Sequence, residues 1–259
     1  MSLLEVHEVS KRFGGVNALA GVTFTVEPGQ VLGVIGPNGA GKTTLLNCIS
    51  GLTRPDAGGI RWGEASIRGM PPYRIARLGI GRTFQIVRPF PSMTVRENTA
   101  MGALCGRPDG RLQPAAALAE ADEVLDLVGL GEKRHHAVLR LTVPDRKRLE
   151  VARALAMHPR LLLLDEVMAG LNHVEVEQAL TMVRRVREGG ITIVLIEHVM
   201  SVIVGVCTHA LVLNFGRTLV EGPPAEVLND PRVIEAYLGE RYARRQREAD
   251  GERPPSANG

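Results

Sequence analysis

The sequence predicts an α/β fold with a mostly parallel sheet, an N-terminal antiparallel β subdomain and an inserted α-helical subdomain. Three observations carry this reading. Two alternating strand patterns come first in the chain. Buried-strand runs then alternate with helical stretches, the pattern of a sheet covered by helices on both faces. Between these runs, over residues 94–157, strand patterns vanish and helical ones replace them. The boundaries that follow are 1–84 and 159–240 for the core of one domain, 85–158 for the helical insert, and 241–259 for a disordered tail.

Taken in order, Leu4, Val6 and Val9 begin a strand alternation that Val22, Phe24 and Val26 repeat. Glu27-Pro28-Gly29-Gln30 turns the chain into an apolar run at 31–35, which suits a strand buried on both faces. A glycine-rich loop and a helix over 42–50 follow. Residues 53–59 read as a Pro/Gly loop, 60–62 as a short strand and 73–78 as a short helix. AAALAEADEVLDLVGL, residues 115–130, has helical character. The alternation resumes with a strand at 161–164, a helix over 174–187 and strands at 191–196 and 210–214. The closing RRQREADGERPPSANG is polar, with Pro and Gly, and has too little apolar surface to order itself.

Composition bounds the function. Aromatics make up 3% of the 259 residues, so the core must be built from Val, Leu, Ile and Ala. The formal net charge is +3, and two of the three surplus charges lie beyond residue 240, so the body is near neutral. That is too weak to argue for nucleic acid, and no nucleic-acid partner is expected. The basic clusters Arg146-Lys147-Arg148 and Arg244-Arg245-Gln246-Arg247 are expected to be solvated faces. Cys48, Cys105 and Cys207 are dispersed, as expected of small buried thiols in a reducing compartment. The apolar stretch 191–215 is interrupted by Glu197, His198 and His209, and no basic-then-apolar targeting segment opens the sequence. The chain is expected not to enter a membrane by itself.

The strongest chemical signal is Gly36-Pro37-Asn38-Gly39-Ala40-Gly41-Lys42-Thr43, followed by Thr44. It matches G-x-x-x-x-G-K-[ST] between a buried strand and a helix, the context that confirms a phosphate loop. Glycines let backbone N–H groups wrap phosphates, and the helix N-terminus adds partial positive charge. Lys42 would reach the β- and γ-phosphates, and the Thr43 hydroxyl would take Mg²⁺. The second signal is Leu161-Leu162-Leu163-Leu164-Asp165-Glu166. A buried strand ending in acid puts carboxylates at the ligand-binding edge of such a sheet. Asp165 is expected in the Mg²⁺ shell and Glu166 as the general base on the attacking water.

Together these residues resemble the nucleotide-binding subunit of an ABC transporter, a P-loop NTPase, over about residues 1–240. The resemblance implies further roles. Phe13 in KRFGG falls where the family stacks an aromatic ring on adenine. Gln85 in RTFQ matches the Q-loop glutamine, which touches Mg²⁺ and the water and links to the helical subdomain. Ala169-Gly170-Leu171-Asn172 resembles the D-loop, and His198 in LIEHVM the switch histidine at the γ-phosphate. GLN after the acidic pair, FGGVNAL, GIGRTFQIVRPFPSMTVREN and PRVIEAYLGE resemble LivG-type ATPases of branched-chain amino acid importers. Relatives serving urea uptake and lipopolysaccharide export share much of this pattern. The resemblance implies ATP and Mg²⁺ as cofactors and ATP hydrolysis as the reaction. The implied partners are a second ATPase subunit and two membrane permease subunits, with an external binding protein acting indirectly. The implied location is peripheral, on the cytoplasmic face of the inner membrane.

One stretch departs from the family. Where LSGGQ is usual, this chain has Leu141-Thr142-Val143-Pro144-Asp145. In the family that segment grips the γ-phosphate held by the partner subunit. Pro144 has no N–H, Val143 resists positive φ, and Asp145 is expected to bring negative charge near a polyphosphate. The defect falls on the partner's nucleotide, so the expected assembly is an asymmetric dimer with a different sister chain. Val167, where proline usually follows the acidic pair, is a second departure. A non-transport ABC protein of DNA repair or translation, and a non-hydrolytic regulatory subunit, are the rival readings. Glu166 argues against the second.

Overall fold

The computed structural model of the chain describes residues 2–84, 89–106 and 112–238. Gln85 and the tail over 241–259 lie outside the described residues. The chain runs β1 (Leu4–Phe13), β2 (Val16–Val26), β3 (Val31–Ile35), α1 (Lys42–Ile49), β4 (Ala57–Trp62), β5 (Ala65–Ser66), α2 (Pro72–Arg77) and β6 (Ile80–Arg82). Helices α3 (Val95–Gly106), α4 (Pro114–Leu127) and α5 (Val143–Leu155) follow. The remainder is β7 (Leu161–Asp165), α6 (His173–Glu188), β8 (Thr192–Ile196), α7 (Met200–Val206), β9 (His209–Asn214), β10 (Arg217–Gly222) and α8 (Pro224–Asn229).

Two sheets form. One has four strands in the order β2-β1-β4-β5, with antiparallel neighbours throughout. The other has six in the order β10-β9-β3-β8-β7-β6; its pairs are parallel except β9–β10. Strands β3, β7 and β8 are buried at every position, as their unbroken apolar runs require of strands covered on both faces. Alternate side chains enter two different cores. Val31, Ile35, Leu162, Leu164, Ile193 and Leu195 pack beneath α5, α6 and α7. Leu32, Val34, Leu161, Leu163, Val194 and Ile196 pack against α1 and the antiparallel sheet. Phe24 and Trp62 are the buried aromatics of that second core. The contact among α3, α4 and the end of α5 is built from Ala100, Ala103, Ala117, Ala121 and Ala156, small side chains that bring helices close.

Helices α3 to α5 lie between β6 and β7 in sequence, yet those two strands pair directly. The helical stretch therefore leaves and re-enters the sheet at neighbouring strands. Two boundaries differ from the sequence reading by more than a residue or so. Strand β4 starts at Ala57, because the expected loop residues Ala57 and Gly59 pair with Ser10 and His7 of β1. Helix α4 stops at Leu127, where Val128 and Gly129 lead into a 3-10 turn at Gly131–Lys133. The cysteine reading needs one correction. Cys48 and Cys207 are buried, and burial pushes their thiols up to about 11 and about 12, but Cys105 is exposed. It lines a cavity beside α3.

Candidate functional site

The loop from Gly36 to Thr43 joins β3 to α1. Gly36 has φ 145, and a Cβ there would fall 2.0 Å from the carbonyl oxygen of Leu213. Gly41 has φ 101, and a Cβ there would fall 2.3 Å from the carbonyl oxygen of Ala18. Both positions exclude any side chain. The second also shows that the β1–β2 hairpin lies against the loop. No side chain caps α1 and no acid sits in its first turn, so its N-terminal amides and positive dipole end are left to an anion. The Lys42 side chain is only 6% exposed. Its ammonium donates to the carbonyls of Gly36, at 2.7 Å, and Pro37, at 2.9 Å. It lies folded across the mouth of the loop. Phe13 ends β1, is 50% exposed, and carries the Lys11 ammonium 5.4 Å from its ring centroid.

Asp165 closes β7, and its N–H donates to Thr83 Oγ1 at 3.1 Å. Arg82, at the end of neighbouring β6, donates to Asp165 Oδ2 at 3.1 Å. The same guanidinium donates to Asn47 Oδ1 at 2.8 Å and Ser50 Oγ at 2.7 Å, tying the β7 edge to α1. Burial pushes the Asp165 carboxyl up from its ordinary value, against the opposing charge of Arg82. Oδ1 of Asp165 is buried and has no hydrogen-bond partner among the described residues. An orphaned carboxylate oxygen costs about 1–3 kcal/mol or more, and a cation would relieve that cost. Thr43 and Asp165 line one cavity of about 680 Å³. The carboxylate and the hydroxyl of these two lining residues are hard donors of the kind Mg²⁺ takes alongside water and phosphate. The residues present fit that ion.

Glu166 and His198 meet because of strand register. Strands β7 and β8 run parallel with Asp165 opposite Ile196, so the residues just beyond each strand emerge side by side. His198 Nε2 lies 2.5 Å from Glu166 Oε1, the imidazole N–H donating to the carboxylate. Glu166 has φ 52, a left-handed backbone that costs a non-glycine residue about 1–3 kcal/mol. Its N–H donates to the carbonyl of Ile196 at 3.0 Å. A carboxylate and an imidazole in contact at the ligand-binding edge can take a proton from water and donate to a phosphate oxygen. The segment 169–172 then leads into α6, where Asn172 and Glu175 form a reciprocal capping box.

The departing segment is a well-made helix start. Thr142 caps α5, accepting from the Asp145 N–H at 3.4 Å. Pro144 occupies the first turn, where a missing N–H costs the helix nothing. The charge expected of Asp145 near a phosphate needs correction. Its carboxylate is 5% exposed and accepts from Lys133 at 2.5 Å and Thr142 Oγ1 at 2.9 Å. Burial acts to raise this carboxyl, but Lys133 and Thr142 outweigh it and hold it below the usual range. Asp145 is turned inward as part of the cap. The basic cluster beside it is half-buried rather than a fully solvated face. Arg146 donates to the Leu139 carbonyl, Lys147 to the carbonyls of Glu166 and Ala169, and Arg148 to Gln178. The side chains of α5 are drawn onto neighbouring elements because the helix packs between the insert and the sheet.

The residue that sequence reading passed over is Glu197, only 1% exposed. Its Oε1 accepts from the Met168 N–H at 2.8 Å, and its Oε2 is buried without a partner among the described residues. The signal was present: an acid directly after the apolar run ITIVLI, one residue before His198. Burial pushes its carboxyl up to about 7. The Met168 N–H, Lys147 and His198 oppose the rise, Glu166 adds to it, and the Cys207 thiol is a further titratable neighbour. This has a consequence for stability. The folded pKa lies above the ordinary 4.5, so the folded state binds the extra proton between those two values. Stability is full below the lower value and is lost as pH rises through about 7. Glu197→Gln keeps an acceptor for Met168 and removes the titration. Wild type is therefore expected to lose up to about 3 kcal/mol relative to Glu197→Gln between about pH 5 and about 8. Thermal melting of both proteins across that range checks this, and equal pH slopes would refute it.

A family model described as ABC transporter matches residues 19–169, and one described as Branched-chain amino acid ATP-binding cassette transporter matches residues 217–243. The chain is 39% identical over 250 residues to the high-affinity branched-chain amino acid transport ATP-binding protein BraF of Pseudomonas aeruginosa, covering 92% of this chain and 98% of that one. It is 38% identical over 250 residues to LivG of Escherichia coli, a protein of the same description, with the same coverage. The crystal structure of an ATP-binding cassette of an ABC transporter in its ADP conformation superposes with a TM-score of 0.82 at 30% identity, covering 92% of this chain and 99% of the other. With the phosphate loop, the acidic strand end and the helical insert all in place on this fold, the chain belongs to the ABC transporter family, as one of its ATP-hydrolysing subunits.

Proposed function

We propose that the chain powers uptake of branched-chain or related hydrophobic amino acids; BraF and LivG are each named a high-affinity branched-chain amino acid transport ATP-binding protein. The observation that carries the catalytic part is the meeting of Glu166 with His198 at the sheet edge that also holds Asp165 and the phosphate loop. In this reading Gly36 to Thr44 wrap the phosphates, Lys42 turns from its two carbonyls to the β- and γ-phosphates, and Phe13 stacks on adenine. Thr43 and Asp165, with Gln85, would hold Mg²⁺, which supplies charge neutralisation on the phosphates. Glu166 takes a proton from water as its oxygen attacks the γ-phosphorus. His198 leaves Glu166 and donates to the γ-phosphate as ADP departs.

The partners follow from the same reading. The chain sits peripherally on the cytoplasmic face of the cell membrane, beside two permease subunits. Among the described residues no helix is long and apolar enough to cross a membrane. Residues 85–158 form the subdomain that meets the permease, and 1–84 with 159–240 form the nucleotide-binding core. The second ATPase is a different sister chain. Pro144 offers no N–H, and Asp145 N–H is turned to Thr142, so this chain's segment has few donors for a partner's ATP. Loss of one donor to a developing phosphate charge costs about a hundredfold in rate. A sister with an intact segment would complete the site on this chain alone. ATP turnover is expected to be near background for the purified chain and to rise on adding one sister ATPase from the same source. Brisk turnover by the chain alone would overturn the asymmetric assembly.

A further inference from the structure

Glu166 is held by its backbone as well as by His198. Left-handed φ is uncommon for a glutamate, so the surroundings must fix it. The carbonyl of Glu166 accepts from the Ala169 N–H at 3.3 Å and from Lys147 Nζ at 3.3 Å. The same ammonium donates to the carbonyl of Ala169. Lys147 thus bridges the two ends of the turn 166–169. It comes from α5, the helix that Thr142 caps. Glu197, just past the end of β8, takes the Met168 N–H. The turn is therefore held by a cation on α5 and a carboxyl beside the sheet. Burial pulls the Lys147 pKa down, while Glu197 and Glu166 hold its charge in place.

We propose that Lys147 is a positioning residue: through the carbonyls of Glu166 and Ala169 it fixes the turn that aims the Glu166 carboxylate, so that the placement of α5 sets the base in its own chain. The proposal rests on Glu166 acting as the base. It gives α5 a task within the chain that does not depend on phosphate donors at its N-terminus. A helix whose start has lost its grip on a partner's ATP still decides whether this chain's own base is aligned.

The test uses the transporter purified through a tag on this chain, with steady-state ATP turnover and thermal melting. Lys147→Met keeps the length of the side chain and removes the ammonium. Its kcat is expected to fall about tenfold or more, the scale on which small misplacements of a reacting group act, with the KM for ATP within about twofold. Lys147→Arg keeps the charge and donors and is expected to restore kcat to within about threefold of wild type. Should Lys147→Met melt early, Lys147→Gln is read in the same way. Added to Glu166→Gln, Lys147→Met is expected to cause no further loss, since two residues acting through one group are not additive. Unchanged kcat in Lys147→Met, or a full further loss in the double variant, would overturn the proposal. Wild-type turnover in Glu166→Gln alone would instead remove the base assignment, and the proposal with it.

Discussion

Glu166→Gln is expected to leave ATP bound and to slow its turnover by about 10²–10⁴-fold, the usual contribution of a positioned general base. The substitution is nearly isosteric. It keeps an oxygen that can accept from His198 Nε2, and it leaves the backbone bonds of Glu166 to Ile196, Ala169 and Lys147 untouched. It removes only the capacity to take a proton. The loss should therefore appear in kcat, with nucleotide affinity preserved or tightened. Equilibrium binding of ATP together with single-turnover hydrolysis checks this. Turnover within about threefold of wild type would show that proton transfer by Glu166 does not limit the reaction.

Lys42→Ala carries the second large effect, on binding rather than on chemistry. Removing one partner of a buried charge-assisted contact costs about 2–5 kcal/mol. That corresponds to a Kd for ATP weakened by roughly thirtyfold to several thousandfold. The ligand-free loop also loses something. The carbonyls of Gly36 and Pro37 both accept from this ammonium, and alanine leaves them without it. Melting of the nucleotide-free variant is the needed control: a small drop with a large loss of affinity places the effect at the phosphate. Wild-type affinity in Lys42→Ala would take Lys42 out of the phosphate site.

Much of the fold was legible because its signals are local. The apolar runs at β3, β7 and β8 announce strands covered on both faces, and the glycines at 36 and 41 announce a backbone that tolerates no side chain. Phosphate-loop chemistry is packed into consecutive residues, so a reader of the chain meets it whole. That Glu166 and His198 serve one site was accessible only through resemblance, since nothing in either local sequence says that 166 and 198 touch. Asp145 was misread for a related reason. Its place in the segment that resembles the family's phosphate grip suggested a charge near a polyphosphate, whereas Lys133, on the 3-10 turn at Gly131–Lys133, draws it inward.

The sequence by itself determined the phosphate loop, the acidic strand end, the helical insert and the missing N–H at Pro144, because each depends on residue type and near spacing. Only the tertiary structure decided that Arg82 grips Asp165, that Glu197 holds Met168 and that Lys147 spans Glu166 and Ala169. Those contacts link residues 83, 29 and 19 positions apart or more. Periodicity fixes which face a side chain takes. Strand order and register fix whom it meets, and these are set by the packing of the whole sheet rather than by any one segment.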